Sequence, residues 1–98
     1  MQSFSFEWDP AKAALNLRKH GISFEEAESA FDDEHSLMLE EALHLEGEHR
    51  FLLLGMSSQA RILVVVHCYR SEGARIRIIS ARTATRSERD QYVARWKR

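Results

Sequence analysis

Three runs of apolar, β-branched or leucine-rich residues, 51–56, 62–69 and 74–81, dominate the second half of this sequence. They are separated by Ser57-Ser58-Gln59 and by Ser71-Glu72-Gly73, polar turn-forming triplets that fit hairpin returns. The spacing predicts an antiparallel meander. A three-stranded meander cannot bury its own apolar face, so the remaining residues have to supply the cover.

The first half provides it. Phe4, Phe6 and Trp8 alternate with Ser3, Ser5 and Glu7, the period of two of a half-buried strand. Asp9 is a good N-cap, Pro10 suits the first helical position, and Gly21 closes the helix behind Lys19 and His20. Ser23 and Glu26 form a capping box ahead of Phe24, Ala27 and Phe31, so a second short helix runs to about Phe31. Within the acidic connection 32–48, Leu37 and Leu39 fit a short strand. Thr85 and Glu88 open a last helix carrying Tyr92, Val93 and Trp96. The order β-α-α-β-β-β-α, without repeat or linker, predicts one α+β domain over residues 1–98, an antiparallel sheet packed on helices. Such a layered fold covers one sheet face and leaves the other open or only partly covered.

Composition narrows the class. With 44% hydrophobic and 30% charged residues the chain is of globular type. The single cysteine, Cys68, can form neither an internal disulfide nor a thiolate metal cage, which fits a reducing compartment. No apolar stretch approaches the ~20 residues of a membrane span, and Met1-Gln2-Ser3-Phe4 does not open a basic-then-apolar leader. The expected location is the cytoplasm.

The net charge of -1 conceals a strong asymmetry. Residues 1–49 carry three cations, Lys12, Arg18 and Lys19, against twelve carboxylates, whereas residues 50–98 carry eleven cations against Glu72, Glu88 and Asp90. Ten of those eleven are arginine, whose planar fork grips phosphate through paired hydrogen bonds and stacks on bases. The halves could simply neutralise each other across the fold. The arginine excess otherwise points to a polyanion, and RNA is the reading we carry forward.

Strand alternation puts Arg75 and Arg77 on one face, with Ile76, Ile78 and Ser80 on the other. Arg61, Val65, His67 and Tyr69 share a side of the preceding strand, which would let His67 neighbour the arginines. An imidazole kept neutral beside guanidinium groups suits a general base, and arginines stabilise a pentavalent phosphate, so this is the composition of a metal-free ribonuclease. The same histidine and tyrosine at the end of a core strand also fit plain packing. No metal or cofactor is expected. His20, His35, His44, His49 and His67 have no ligand spacing, and Gly21, Gly47, Gly55 and Gly73 are isolated rather than gathered in a phosphate loop.

The motifs Phe6-Glu7-Trp8-Asp9-Pro10-Ala11-Lys12 with Asn16, Lys19-His20-Gly21 and Phe24, then Leu63-Val64-Val65-Val66-His67, then Ile76-Arg77-Ile78-Ile79-Ser80-Ala81-Arg82, resemble the BrnT toxins over nearly the whole chain. The resemblance implies a RelE-like fold and a ribonuclease toxin of a type II toxin–antitoxin system, which arrests translation. It further implies neutralisation by a BrnA-type antitoxin, in a hetero-oligomer that reaches DNA only through the antitoxin. By position it picks out His44, Glu48 and Arg50, then His67, then Arg77, Ser80, Arg82, Arg86, Glu88 and Tyr92. Charge pattern and resemblance together give an expected catalytic set of Arg77, Arg82, His67 and Arg50, with Arg61, Arg75, Arg86, Arg89 and Tyr92 as RNA contacts. A binding module that pairs with the antitoxin in a DNA-binding autorepressor, with weak catalysis, is the alternative.

Overall fold

A computed structural model describes residues 5–40 and 49–96; His44 and Glu48, singled out by the resemblance, lie outside them. Chain order is β1 (Ser5–Glu7), α1 (Pro10–His20), α2 (Phe24–Ser29), a 3-10 turn (Ala30–Asp32), β2 (Leu37–Glu40), β3 (Phe51–Met56), β4 (Ile62–Arg70), β5 (Arg75–Thr83) and α3 (Arg86–Trp96). No helix among the described residues is long and apolar enough to cross a membrane.

Local signals set the helix ends. The Asp9 carboxylate accepts the Ala11 N–H at 2.8 Å, and Gly21, in the left-handed conformation at φ 72°, donates its N–H to the Leu17 carbonyl at 2.9 Å. The Ser23 hydroxyl accepts from the Glu26 N–H at 3.0 Å. Both halves of the final capping box form, Thr85 N–H to Glu88 at 2.8 Å and Glu88 N–H to the Thr85 hydroxyl at 3.2 Å.

The sheet runs β1-β5-β4-β3-β2. The three predicted meander strands pair antiparallel as expected, and the short strand at Leu37–Glu40 adds an antiparallel edge against β3. One expectation is corrected: the sheet is mixed, because β1 lies parallel to β5, with Glu7 opposite Arg77. That follows from the connection. Both α1 and α2 intervene between β1 and the meander, so the chain crosses a sheet face before it returns.

Helices pack on both faces. On one, Ile22, Phe24, Ala27 and Ala30 meet Leu53, Leu63, Val65, Ile78 and Ala81 in the main core. On the other, Tyr92 of α3 and Ala84 meet Leu54 and Val64 in a smaller cluster. Because α3 packs toward β3, among the described residues no helix cluster covers this second face at its β5 and β1 end. Gly55 allows the 3-10 turn to sit close, since a Cβ there would lie 3.0 Å from the Ala30 carbonyl oxygen.

A β-bulge sets the register of β5. Val66 pairs with Ser80 and His67 with Ile78, leaving Ile79 as the extra residue. Cross-strand partners share a face, and Val64, Val66 and Cys68 alternate onto one side of β4. Their partners Arg82, Ser80 and Arg77 therefore share that side as well. Plain alternation had put Ser80 with Ile76 and Ile78. The bulge reverses that and brings Arg82 onto the face of Arg77.

His67, paired with Ile78, points to the main-core side and is fully buried. It packs edge-on against Phe31 and Tyr69, with ring centroids 4.8 and 5.3 Å away. Its Nδ1 bonds the Val65 carbonyl at 3.1 Å, and among the described residues its Nε2 has no hydrogen-bond partner. The neighbourhood with the arginines anticipated from alternation does not form.

Past Glu7, β1 no longer accompanies β5, and a side chain takes over. The Asn16 amide donates to the carbonyls of Ala81 and Ile22 at 2.9 and 3.0 Å, and its oxygen accepts the Ala81 N–H at 3.1 Å. Asn16→Ala would strand these buried groups, with an expected loss of roughly 2–4 kcal/mol of stability in denaturant unfolding. Wild-type stability would show that the clamp is dispensable. Burial also pushes the His67 imidazole below its ordinary value of 6.5, outweighing the opposing Val65 bond. As pH falls the unfolded chain binds that proton first. The His67 contribution is thus whole above about pH 6.5 and declines below it until the folded histidine also protonates. His67→Phe should flatten this part of the stability profile, measured by thermal unfolding between about pH 5 and 7.

Candidate functional site

The uncovered end of the second face holds a cluster centred on Glu7. Arg77 Nη1 donates to Glu7 Oε2 at 2.9 Å and Arg75 Nη1 to Oε1 at 3.4 Å, while Arg70 Nε stands 3.9 Å from Oε2. The topology makes this convergence. Arg75 and Arg77 alternate onto one side of β5, Arg70 closes β4 opposite Arg75, and β1 sets Glu7 alongside Arg77. Three cations thus face one carboxylate. The hydrogen bond from Arg77 is the main cause holding the Glu7 carboxyl below its usual range, so Glu7 is ionised at neutral pH. Among the described residues, the Arg77 side chain makes no hydrogen bond besides that to Glu7, which leaves two of its guanidinium nitrogens for a ligand. Its side chain is 32% exposed.

Arg82 shares the face but is engaged differently. Its two terminal nitrogens grip the two Glu88 oxygens at 2.8 and 3.0 Å, a paired fork that also ties β5 to the capping box of α3. Held mainly by Arg82, the Glu88 carboxyl falls to about 2. Arg82 is thus both a brace for α3 and a partly exposed cation beside the cluster.

The remaining predicted residues are dispersed. Arg61 binds the buried Glu26 carboxylate, which also accepts from the Ser57 hydroxyl at 2.6 Å, and it reaches the Gly21 carbonyl at 3.3 Å. This pairing joins α2 to the β3–β4 turn. Tyr92 is buried in the smaller core cluster with its hydroxyl donating to Asp33, and burial first, then that bond, pushes it up to about 12. Arg89 caps the Ala84 carbonyl at 3.4 Å, Arg86 is exposed in the first turn of α3, and Arg50 is half-buried just before β3. Of the expected set, the structure brings together Arg75 and Arg77, with Arg82 on the same face.

Two participants were missed, Glu7 and Arg70. Alternation in β1 put Glu7 on the polar side, yet nothing local indicates that this strand pairs with β5, some seventy residues on. Among the described residues, no three histidine, cysteine or carboxylate side chains are placed to hold a metal ion.

Comparison with known proteins agrees with this architecture. The crystal structure of the Brucella abortus ribonuclease toxin BrnT is similar, with a TM-score of 0.59 at 20% identity, covering 85% of this chain and 99% of that one. Identity at that level speaks for the fold. No curated protein matches the chain. A family model described as the ribonuclease toxin BrnT of type II toxin–antitoxin systems matches residues 8–88. The chain, matched over most of its length, belongs to the BrnT family of ribonuclease toxins.

Proposed function

We propose that this toxin cleaves RNA at the arginine cluster on the uncovered end of the sheet, arresting translation in the cytoplasm, and that a BrnA-type antitoxin neutralises it. The observation that carries the reading is the convergence of Arg75 and Arg77, with Arg70 nearby, on the Glu7 carboxylate. Two partly exposed guanidinium groups side by side suit a phosphodiester.

Arg77 takes the scissile phosphate through the guanidinium nitrogens that Glu7 leaves unused, with Arg75 beside it. Glu7 acts as a positioning residue, since a carboxyl ionised this firmly is a weak base. The RNA 2′-hydroxyl attacks phosphorus, its oxygen forming the new bond while the bond to the 5′-oxygen breaks. The 2′-proton is lost to solvent and the departing 5′-oxygen takes one up. Charge gathers on the equatorial oxygens, where preorganised guanidinium groups stabilise it in place of a divalent ion. His67, buried on the opposite face, supports the fold rather than the reaction.

Cleavage of a defined RNA by the purified toxin should survive EDTA, because arginine supplies the neutralising charge. Activity lost to chelator and restored by magnesium would overturn the metal-free assignment. Arg77→Ala should cost ~3 kcal/mol of transition-state stabilisation, a loss of roughly a hundredfold in rate, at an unchanged melting temperature. Arg82→Ala should instead lower the melting temperature, since it releases the Glu88 fork. An Arg77→Ala protein that still cleaves RNA at the wild-type rate would refute the site.

A further inference from the structure

We infer that the cleft between α1 and the outer edge of β5 is a docking site for a protein segment, an extended stretch of the antitoxin carrying an apolar residue flanked by carboxylates. This rests on the toxin–antitoxin pairing in the proposed function and is independent of where RNA binds.

The charge map of the folded chain differs from that of the sequence. Many cations of the arginine-rich half are engaged within the molecule: Arg61 by Glu26, Arg82 by Glu88, and Arg70, Arg75 and Arg77 by Glu7. The three cations of the acidic half, Lys12, Arg18 and Lys19, all fall on α1, a helix with no acidic residue. All three are exposed, and among the described residues none of them forms an ion pair. Besides Arg86, Arg89 and Arg95 of α3, which form no ion pair among the described residues, unneutralised charge therefore gathers on α1, where the linear sequence gives least sign of it.

The cleft beside this helix is lined by Lys12, Leu15, Lys19 and His20 from α1 and by Ile79 and Ser80 from β5. Positions 12, 15 and 19 fall on one helical stripe, so a leucine sits between two lysines and faces the bulge isoleucine. Leu15 is 52% exposed. A phosphate backbone needs the lysines and has no use for an exposed leucine. An acidic peptide with an apolar side chain uses both, with attraction setting its approach and Leu15 and Ile79 giving it area to bury.

The strand edge supplies a third element. The outer side of β5 has β1 as its neighbour only from Arg75 to Arg77, and the Asn16 amide satisfies Ala81. Between them, among the described residues, β5 has no strand on its outer side. An extended segment entering the cleft lies along that edge, where main-chain pairing can add to side-chain contacts.

The test uses the intact toxin and its cognate antitoxin. Lys12→Glu with Lys19→Glu should weaken antitoxin binding, measured by calorimetry at low salt, by roughly a hundredfold. The same antitoxin-free variant should digest RNA at the wild-type rate and melt at the wild-type temperature. Leu15→Asp should weaken binding in the same way, and Lys12→Gln with Lys19→Gln serves if the charge reversal perturbs folding. Hydrogen exchange in the wild-type complex should slow in residues 12–20 and 78–81. Unchanged affinity, or protection confined to β3, β4 and α3, would sink the proposal. Loss of RNA cleavage in the folded free variant would reassign the cleft to the RNA surface. A wild-type dimer that the variant dissociates would reassign it to a second copy of this chain. Each of these outcomes leaves the Arg77 and chelator experiments to decide on catalysis by themselves.

Discussion

A single buried amide holds the two layers of this protein in register. Asn16 lies 6% exposed between α1 and β5 and bonds both backbone groups of Ala81 as a neighbouring strand would, while also holding the Ile22 carbonyl. Buried backbone groups left unpaired are costly, and β1 is too short to reach this far along β5. The side chain completes the pairing and at the same stroke fixes α1 and the α1–α2 turn against the sheet. It also anchors β5 two residues beyond its bulge. The register that sets Ser80 and Arg82 on the same face as Arg77 is thus held on one side by β4 and on the other by a helix residue.

Electrostatics then divides the cations into those that build the protein and those that can meet a partner. Glu26 is nearly inaccessible, and a buried carboxylate is tolerable only if paired, so Arg61 and Ser57 are committed to it. Glu88 is committed to Arg82 and to the start of α3 in one arrangement. Around Glu7 the ratio inverts. Among the described residues Arg75 and Arg77 share the Glu7 carboxylate, with Arg70 nearby and all partly exposed, where solvent screens each pairing and a phosphate can compete for the guanidinium groups. The same residue type thus serves as brace in one place and as a candidate ligand-binding group in another, according to how many acids surround it.

Much of the fold is legible in short-range signals. Asp9-Pro10, Gly21, Ser23 with Glu26, and Thr85 with Glu88 mark helix ends within a few residues, because capping is a local matter of one side chain and one or two N–H groups. The meander is readable for a similar reason: hairpin neighbours are close in sequence. What stays hidden is non-local. The parallel seat of β1 depends on a crossover over two helices, and with it the meeting of Glu7 and the arginines. The bulge at Ile79 leaves no glycine or proline to announce it, and it defeats alternation from that point on. Tyr92 and Arg61, which charge and aromatic content alone would send to a nucleic acid, are claimed by Asp33 and Glu26 through pairings tens of residues apart.

These constraints converge on β5, which presents different things in different directions. Toward the main core it gives Ile76, Ile78 and Ala81; toward the other face, Arg75, Arg77, Ser80 and Arg82; along its outer edge, Ile79, with Ser80 beside it, to the cleft under α1. A regular strand of this length would offer only two alternating sides. The extra residue is what lets the strand serve a core, a proposed phosphate-binding face and an edge open among the described residues together, since it changes which side chains face which way partway along. The proposed RNA contacts and the proposed docking cleft are therefore adjacent in sequence yet centred on different surfaces, which meet at Ser80. Ile79, which lines the cleft, is also the residue whose insertion sets the face of Arg82.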